Sequence, residues 1–239
     1  GLKGKPVDVV KCETVDLEAP ATTEIVIEGV IPPHRREHEG PFAEYSGYYG
    51  PASMQPVVEV TAVTHRRNPI FHAGLTGRPM TENHFLQQIP GETTMHRQLK
   101  SNFPGLKDVH VTGAGCATFM VFISVEQTFA GEGRKLLMSA IAGRRPLKCV
   151  VVCDEDIDVF DDSQVLWAIA TRARPAEDIV ILPKFPTANL DPSVPEGELG
   201  SALGIDATRP FGEPFPEVPF HPGLDRVPDL LEMMRREAG

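Results

Sequence analysis

Cysteine is scarce in this 239-residue chain, which carries only Cys12, Cys116, Cys149 and Cys153. They form neither a disulfide framework nor a zinc-type spacing, so a reducing cytoplasm is the expected setting. Long apolar runs are missing too. None approaches the roughly 20 residues that span a bilayer. The opening GLKGKPVDVVKCETVDL lacks the apolar centre of a secretion signal. Positive charge is in short supply, with 23 Lys+Arg against 33 Asp+Glu and a net charge of −10. That argues against a general nucleic-acid or anionic-membrane surface, but leaves room for a local cationic pocket. There is no initiator Met, and the first residues enter directly into a strand-like stretch. The chain is therefore expected to begin inside a longer protein.

What is present is ordinary globular composition, 41% hydrophobic and 23% charged, enough for one large domain or two modest ones. The first third reads as β-rich without alternating helices. Strands are expected at 5–12, at 24–31, where Ile25 and Ile27 share one face, at 57–65, and at 69–72. Between them, 32–50 is crowded with Pro, Gly, His and Arg and reads as a long functional loop. The pattern then changes. Helices are expected at 82–88, 94–103, 132–142 and 162–171, and strands at 109–111, 118–125, 148–153 and 178–182. The run KCVVVC at 148–153 is nearly continuously apolar, as in a strand buried on both faces. This alternation predicts an α/β second part. Residues 183–222 are rich in Pro and Gly and read as an extended surface segment, followed by an amphipathic helix at 224–236.

The segment 39–50, EGPFAEYSGYYG, is the chemical centre of the sequence. Glu39 and Glu44 stand five apart, which neither a strand nor a helix would focus on one point. Gly40 and Pro41 break regular geometry between them, so a turn can bring both carboxylates together. All three tyrosines of the chain, Tyr45, Tyr48 and Tyr49, lie in this loop. Paired carboxylates beside aromatic surface suit acid–base work on a planar organic molecule. A plain connecting loop of Gly, Pro, Glu and Tyr has the same composition.

The run CETVDLEAPATTEIVIEG at 12–29, followed by EGPFAEYSGYYG, resembles the UbiD family of reversible decarboxylases. TGRP at 76–79, CDEDIDVFD at 153–161, WAIATR at 167–172 and GIDAT at 204–208 extend the similarity, in family order, over nearly the whole chain. The resemblance implies a two-part α+β/α-β chain. Residues 1–80 would be the C-terminal part of a split-β-barrel domain that binds prenylated FMN. Residues 81–104 would be a linking helix region and 105–182 an α/β oligomerisation domain. Residues 183–239 would be the extended segment and terminal helix. It implies prenylated FMN, a divalent metal (Mn or Mg) and K⁺ as cofactors, and an aromatic, heteroaromatic or α,β-unsaturated carboxylic acid as substrate. A homodimer or homohexamer is implied as well.

On this resemblance the substrate adds to the modified flavin, CO₂ leaves, and an acid protonates the carbanion equivalent. A Glu–Arg–Glu network does the acid–base work, with Glu44 as proton donor and Glu39 as its partner. Such a donor must be neutral before transfer, which burial favours and a neighbouring arginine opposes; two glutamates sharing one arginine can divide these roles. Lys148 would reach the cofactor phosphate, and Tyr45, Leu86 and Gln87 would face substrate. Ala43 and Ser46 stand where the commoner family pattern has Gly and Thr. The family's arginine and its metal-binding Asn, His and Glu correspond to positions upstream of Gly1, so no metal ligand is assigned in this chain. The N-terminal half of the same protein or a partner chain would supply them. The rival reading is a non-catalytic assembly module that retains the oligomerising part.

Other clusters read as structural. DEDID at 154–158 lacks the glycine and distal Glu of a calcium loop, and loop hydrogen bonding explains it better. Cys149 and Cys153, four apart on a strand, read as small buried apolar residues. HRREH at 34–38 matches a zinc-protease pattern that works only on a helix, and the surrounding prolines and glycines argue against one.

Overall fold

The computed structural model describes residues 4–143, 145–188, 190–215 and Met234. Its first part carries β1 (Val9–Lys11), β2 (Glu18–Pro20), β3 (Ile25–Val30), β4 (Arg36–Glu39), β5 (Ser53–Pro56) and β6 (Glu59–His65). They pair as three antiparallel ribbons, β1–β2, β3–β6 and β4–β5. No closed barrel forms among the described residues. The expected alternation of β3 is present, but its polar face is the buried one. Ile27 is 65% exposed while Glu28 is 4% exposed. The Glu28 carboxylate accepts the backbone N–H groups of Glu13 and Thr14 at 2.9 and 2.7 Å, and the Thr14 hydroxyl at 2.8 Å. Hydrogen bonds to a turn, rather than apolar packing, hold this strand in register with its surroundings.

Two local expectations fail here. Residues 69–72 form no strand; the Ile70 amide is taken instead by the Glu24 carboxylate at 3.1 Å. The loop 32–50 is interrupted by β4, so HRREH begins in a turn at His34 and runs on into an exposed extended ribbon. It is not helical, and its zinc-protease reading lapses with that geometry.

The second part holds α1 (Glu82–Lys100), β7 (Leu106–His110), β8 (Met120–Val125), α2 (Glu132–Ile141), β9 (Cys149–Asp154), α3 (Asp162–Arg172), α4 (Pro175–Asp178), β10 (Ile179–Phe185) and β11 (Gly200–Ala207). One mixed sheet runs β10-β11-β9-β8-β7. Its three central strands are parallel and its two edges antiparallel. Every residue of β9 is buried. Val150 and Val152 pack with Leu136, Leu137 and Ile141 of α2 and with Met95 and Leu99 of α1. Cys149, Val151 and Cys153 pack on the other face with Val165 and Ala168 of α3. The period of two along the strand thus feeds two separate cores, which is why the run reads as continuously apolar.

The two expected helices at 82–88 and 94–103 are one, continuous through Pro90 and Gly91. The reading of 183–222 as an extended surface segment is also corrected. It supplies β11, which lies between β9 and β10 inside the sheet. The expected helix at 224–236 lies outside the described residues except for Met234. The acidic run behaves as expected of a structural feature. Arg172 donates to Asp154 at 2.9 Å and to Asp156 at 2.6 Å, and the Asp161 carboxylate caps α3 through the Ser163 amide at 2.9 Å.

Candidate active site

Between β4 and β5 the chain folds into a miniature hairpin. Ala43 and Tyr49 form an isolated antiparallel bridge. The Glu44 amide donates to the Tyr48 carbonyl at 2.9 Å, and the Gly47 amide donates to the Glu44 carbonyl at 2.9 Å. Ala43 is not among the residues at positive φ, so its substitution for glycine carries no backbone strain. Gly47, at φ +81°, is different. A Cβ there would lie 3.1 Å from the Arg78 Cα, so the turn needs glycine both for its backbone and for the approach of the TGRP segment. Gly50 makes room for Glu44, because a Cβ on it would lie 3.3 Å from the Glu44 Cγ.

The loop is tied to α1 through His84, which is fully buried. The Thr81 amide donates to His84 Nδ1 at 3.0 Å, so that nitrogen is an acceptor and the ring proton sits on Nε2. Nε2 then donates to the Tyr45 carbonyl at 2.7 Å. One imidazole therefore closes the N-terminus of α1 and pins the carbonyl next to Glu44.

Tyr45 turns its ring onto Phe119, 5.7 Å between centroids. Burial pushes its phenol up to about 12, helped by the charges of Cys116 and Glu44. Tyr45 lines a cleft of about 1110 Å³ together with Leu86, Gln87, Thr118 and Arg145. The Thr118 hydroxyl donates to Gln87 Oε1 at 3.4 Å, linking the two walls. Thr118, which lines the cleft, follows a turn where Cys116 and Ala117 both adopt positive φ, 57° and 50°. Two consecutive non-glycine residues in that region cost roughly 1–2 kcal/mol each. The Ala117 carbonyl they aim accepts Arg145 Nη2 at 2.6 Å.

Of the residues singled out by sequence, Tyr45, Leu86 and Gln87 share this cleft. Glu44 precedes Tyr45 in the hairpin, half-buried, and Glu39 ends β4, exposed. Among the described residues neither carboxylate has a hydrogen bond or ion pair. Lys148 lies elsewhere. Its ammonium donates to Asp191 at 3.0 Å and to Ser193 at 2.5 Å, in a separate recess of about 280 Å³. Leu190 lines the cleft and Asp191 the recess, so the same stretch of chain walls both.

Comparison with known proteins agrees with this architecture. The signature of the 3-octaprenyl-4-hydroxybenzoate carboxy-lyase C-terminal domain matches residues 84–207. That of the Rift-related domain of the same enzyme matches residues 1–79. The chain belongs to the UbiD family. The UbiD-class enzyme HmfF from Pelotomaculum thermopropionicum, in complex with FMN, is 42% identical with a TM-score of 0.80 over 94% of this chain and 50% of that one. An evolved dimeric form of HmfF in complex with prFMN is 41% identical, with a TM-score of 0.74 over 95% and 49% of the two chains. Vanillic acid decarboxylase of Sedimentibacter hydroxybenzoicus, in open form, is 33% identical, with a TM-score of 0.76 over 98% and 52%. An uncharacterized protein of Archaeoglobus fulgidus is 36% identical over 236 residues, 97% of this chain and 47% of its own length. The chain spans about half the length of these relatives.

Sequence reasoning passed over two residues that line the cleft of this UbiD-family chain, Gly91 and Arg145, and one that braces the loop beside it, His84. His84 stood among scattered histidines, although Thr81 three positions earlier has the spacing of a reciprocal cap. Arg145 had no motif around it. Gly91 fell in the expected break between helices at 82–88 and 94–103; only inside the continuous α1 does a glycine there point to a close approach.

Proposed function

We propose that this chain forms part of a decarboxylase that removes CO₂ reversibly from an aromatic, heteroaromatic or α,β-unsaturated carboxylic acid with prenylated FMN. The observation that carries the reading is the Glu44 carboxylate, unpaired among the described residues. A hairpin fixed by Gly47, Gly50 and His84 holds it next to the cleft residue Tyr45. A rigid loop with an uncommitted carboxylate is what proton delivery needs. In this reading Glu44 gives its proton to the substrate carbon and Glu39 is its network partner. Tyr45, Leu86 and Gln87 form the substrate wall.

The residues present fit the flavin at one point. Lys148 spends two of its three donors on Asp191 and Ser193 and keeps one for a phosphate. When bound, the prenylated flavin supplies the electron sink for cleavage of the carbon–carboxylate bond. Among the described residues no group of three His, Cys, Asp or Glu could hold a metal ion. In this reading the divalent metal and K⁺ are held by residues outside this sequence, and no step here depends on them. The completing half of the split barrel, from the same protein or a partner chain, and the dimer or hexamer belong to the same proposal. No described helix is long and apolar enough to cross a membrane; the cytoplasm is the proposed location.

The test is Glu44→Gln in the full-length, flavin-loaded protein. Decarboxylation should disappear while the flavin absorbance remains. Undiminished turnover in that variant overturns the assignment.

A further inference from the structure

The cleft holds a charge that the decarboxylation chemistry above does not use. Arg145 is the one charged residue lining it among the described residues, and no Asp or Glu faces it there. Its guanidinium offers five N–H donors, yet one acceptor is present for them, the Ala117 carbonyl on Nη2. Nε is buried with no partner. No described acid forms an ion pair with it. Burial lowers its basicity, opposed by the more distant Glu92 and by Tyr45.

The fold goes out of its way to seat this group. Gly91 lies in the middle of α1, where glycine costs about 1 kcal/mol relative to alanine. A Cβ at Gly91 would stand 1.6 Å from Arg145 Nη1 and 2.7 Å from its Cζ. The guanidinium therefore lies directly against the helix backbone and would have to leave if any side chain were present. From the other side it is held by the carbonyl of Ala117, itself at positive φ. A half-buried cation with an orphaned donor, a backbone seat and no counter-charge among the described residues is suited to receive an anion.

We propose that Arg145 binds a carboxylate of the ligand in this cleft, an anchoring role separate from the acid–base work of the Glu39–Glu44 loop. Guanidinium and carboxylate match in shape and charge, and such a charge-assisted pair is stronger than a hydrogen bond between neutral groups. Two sources supply the same chemistry: the carboxylate that is to be lost, or a second acidic group at the far end of a larger substrate. The cleft, at about 1110 Å³, exceeds what a single ring requires. That the occupant is the substrate rests on the decarboxylase reading; that the site takes a carboxylate does not.

The experiment is calorimetric binding to the full-length, flavin-loaded protein, with benzoate, benzamide and terephthalate as probes. Wild type should bind benzoate or terephthalate roughly 10- to 100-fold more tightly than the uncharged benzamide, the range for a charge-assisted hydrogen-bonded pair. Arg145→Gln should erase that preference while thermal unfolding stays cooperative. Gly91→Ala keeps the charge but displaces it, and should reduce the preference as well. Loss confined to terephthalate assigns the anchor to a second carboxylate, whereas equal loss for both acids assigns it to the first. A carboxylate preference that survives both substitutions overturns the proposal. A protein that decarboxylates nothing yet shows the Arg145-dependent preference rejects the enzymatic reading alone.

Discussion

The imidazole of His84 and the carbonyl of Tyr45 lie 2.7 Å apart, joining the first turn of α1 to the hairpin that carries Glu44. The contact spans 39 residues of sequence and ties the ribbon part of the chain to the sheet part. Replacing His84 by Ala leaves the Thr81 amide and the Tyr45 carbonyl without partners and opens a void at a fully buried position. An unsatisfied buried group costs about 1–3 kcal/mol. His84→Ala should lower unfolding stability by about 2–4 kcal/mol in denaturant titrations, and turnover should fall with it. His84→Gln, which restores a donor, should recover part of both. Unchanged stability in His84→Ala would show that the hairpin is held by other contacts.

Tyr45 supplies a spectroscopic handle. Burial beside Phe119 pushes its phenol up to about 12. An acid whose folded value is raised binds its proton more tightly when folded. Its ionisation therefore opposes folding as pH rises from the ordinary tyrosine value, about 10, towards 12. Alkaline difference absorbance of tyrosinate should show a last component near 12 that Tyr45→Phe abolishes. The variant should also lose less stability than wild type over that alkaline window. A Tyr45→Phe curve identical to wild type contradicts the burial argument.

Much of the second part was legible because periodicity survives where packing is apolar. The β9 run and the 136, 137, 141 face of α2 declare their structure in a handful of residues. Glycine-dependent elements hid. β11 reads GSALGIDA, poor in strand formers, yet it lies inside the sheet. Gly204 is there because a Cβ would fall 2.3 Å from the Leu137 Cδ2 of α2. Pro90 and Gly91 concealed the continuity of α1; the room that Gly91 leaves is taken by Arg145, 54 positions further on and invisible to local pattern. At the site, the acidic loop announced its residue types, and similarity suggested their roles. Neither could announce that a fully buried histidine pins the loop or that Arg145 shares a cleft with Tyr45. Those depend on contacts between distant segments.

Gly204→Ala tests the packing account of β11. Leu137 is fully buried, so the intruding methyl has nowhere to push it. Overpacking of this kind costs about 1–3 kcal/mol. The midpoint of chemical unfolding should drop accordingly, and Leu137→Ala introduced alongside should compensate part of the loss rather than add to it. Simple additivity of the two changes would refute the proposed contact.

The strand order β10-β11-β9 also sets a schedule for assembly. β10 leaves the ribosome before β11 yet touches the sheet through it, so β10 waits, and one flank of β9 stays bare, until residues 200–207 arrive. During that interval the nascent protein displays two unpaired apolar edges, the kind of surface that chaperones cover and that seeds aggregation.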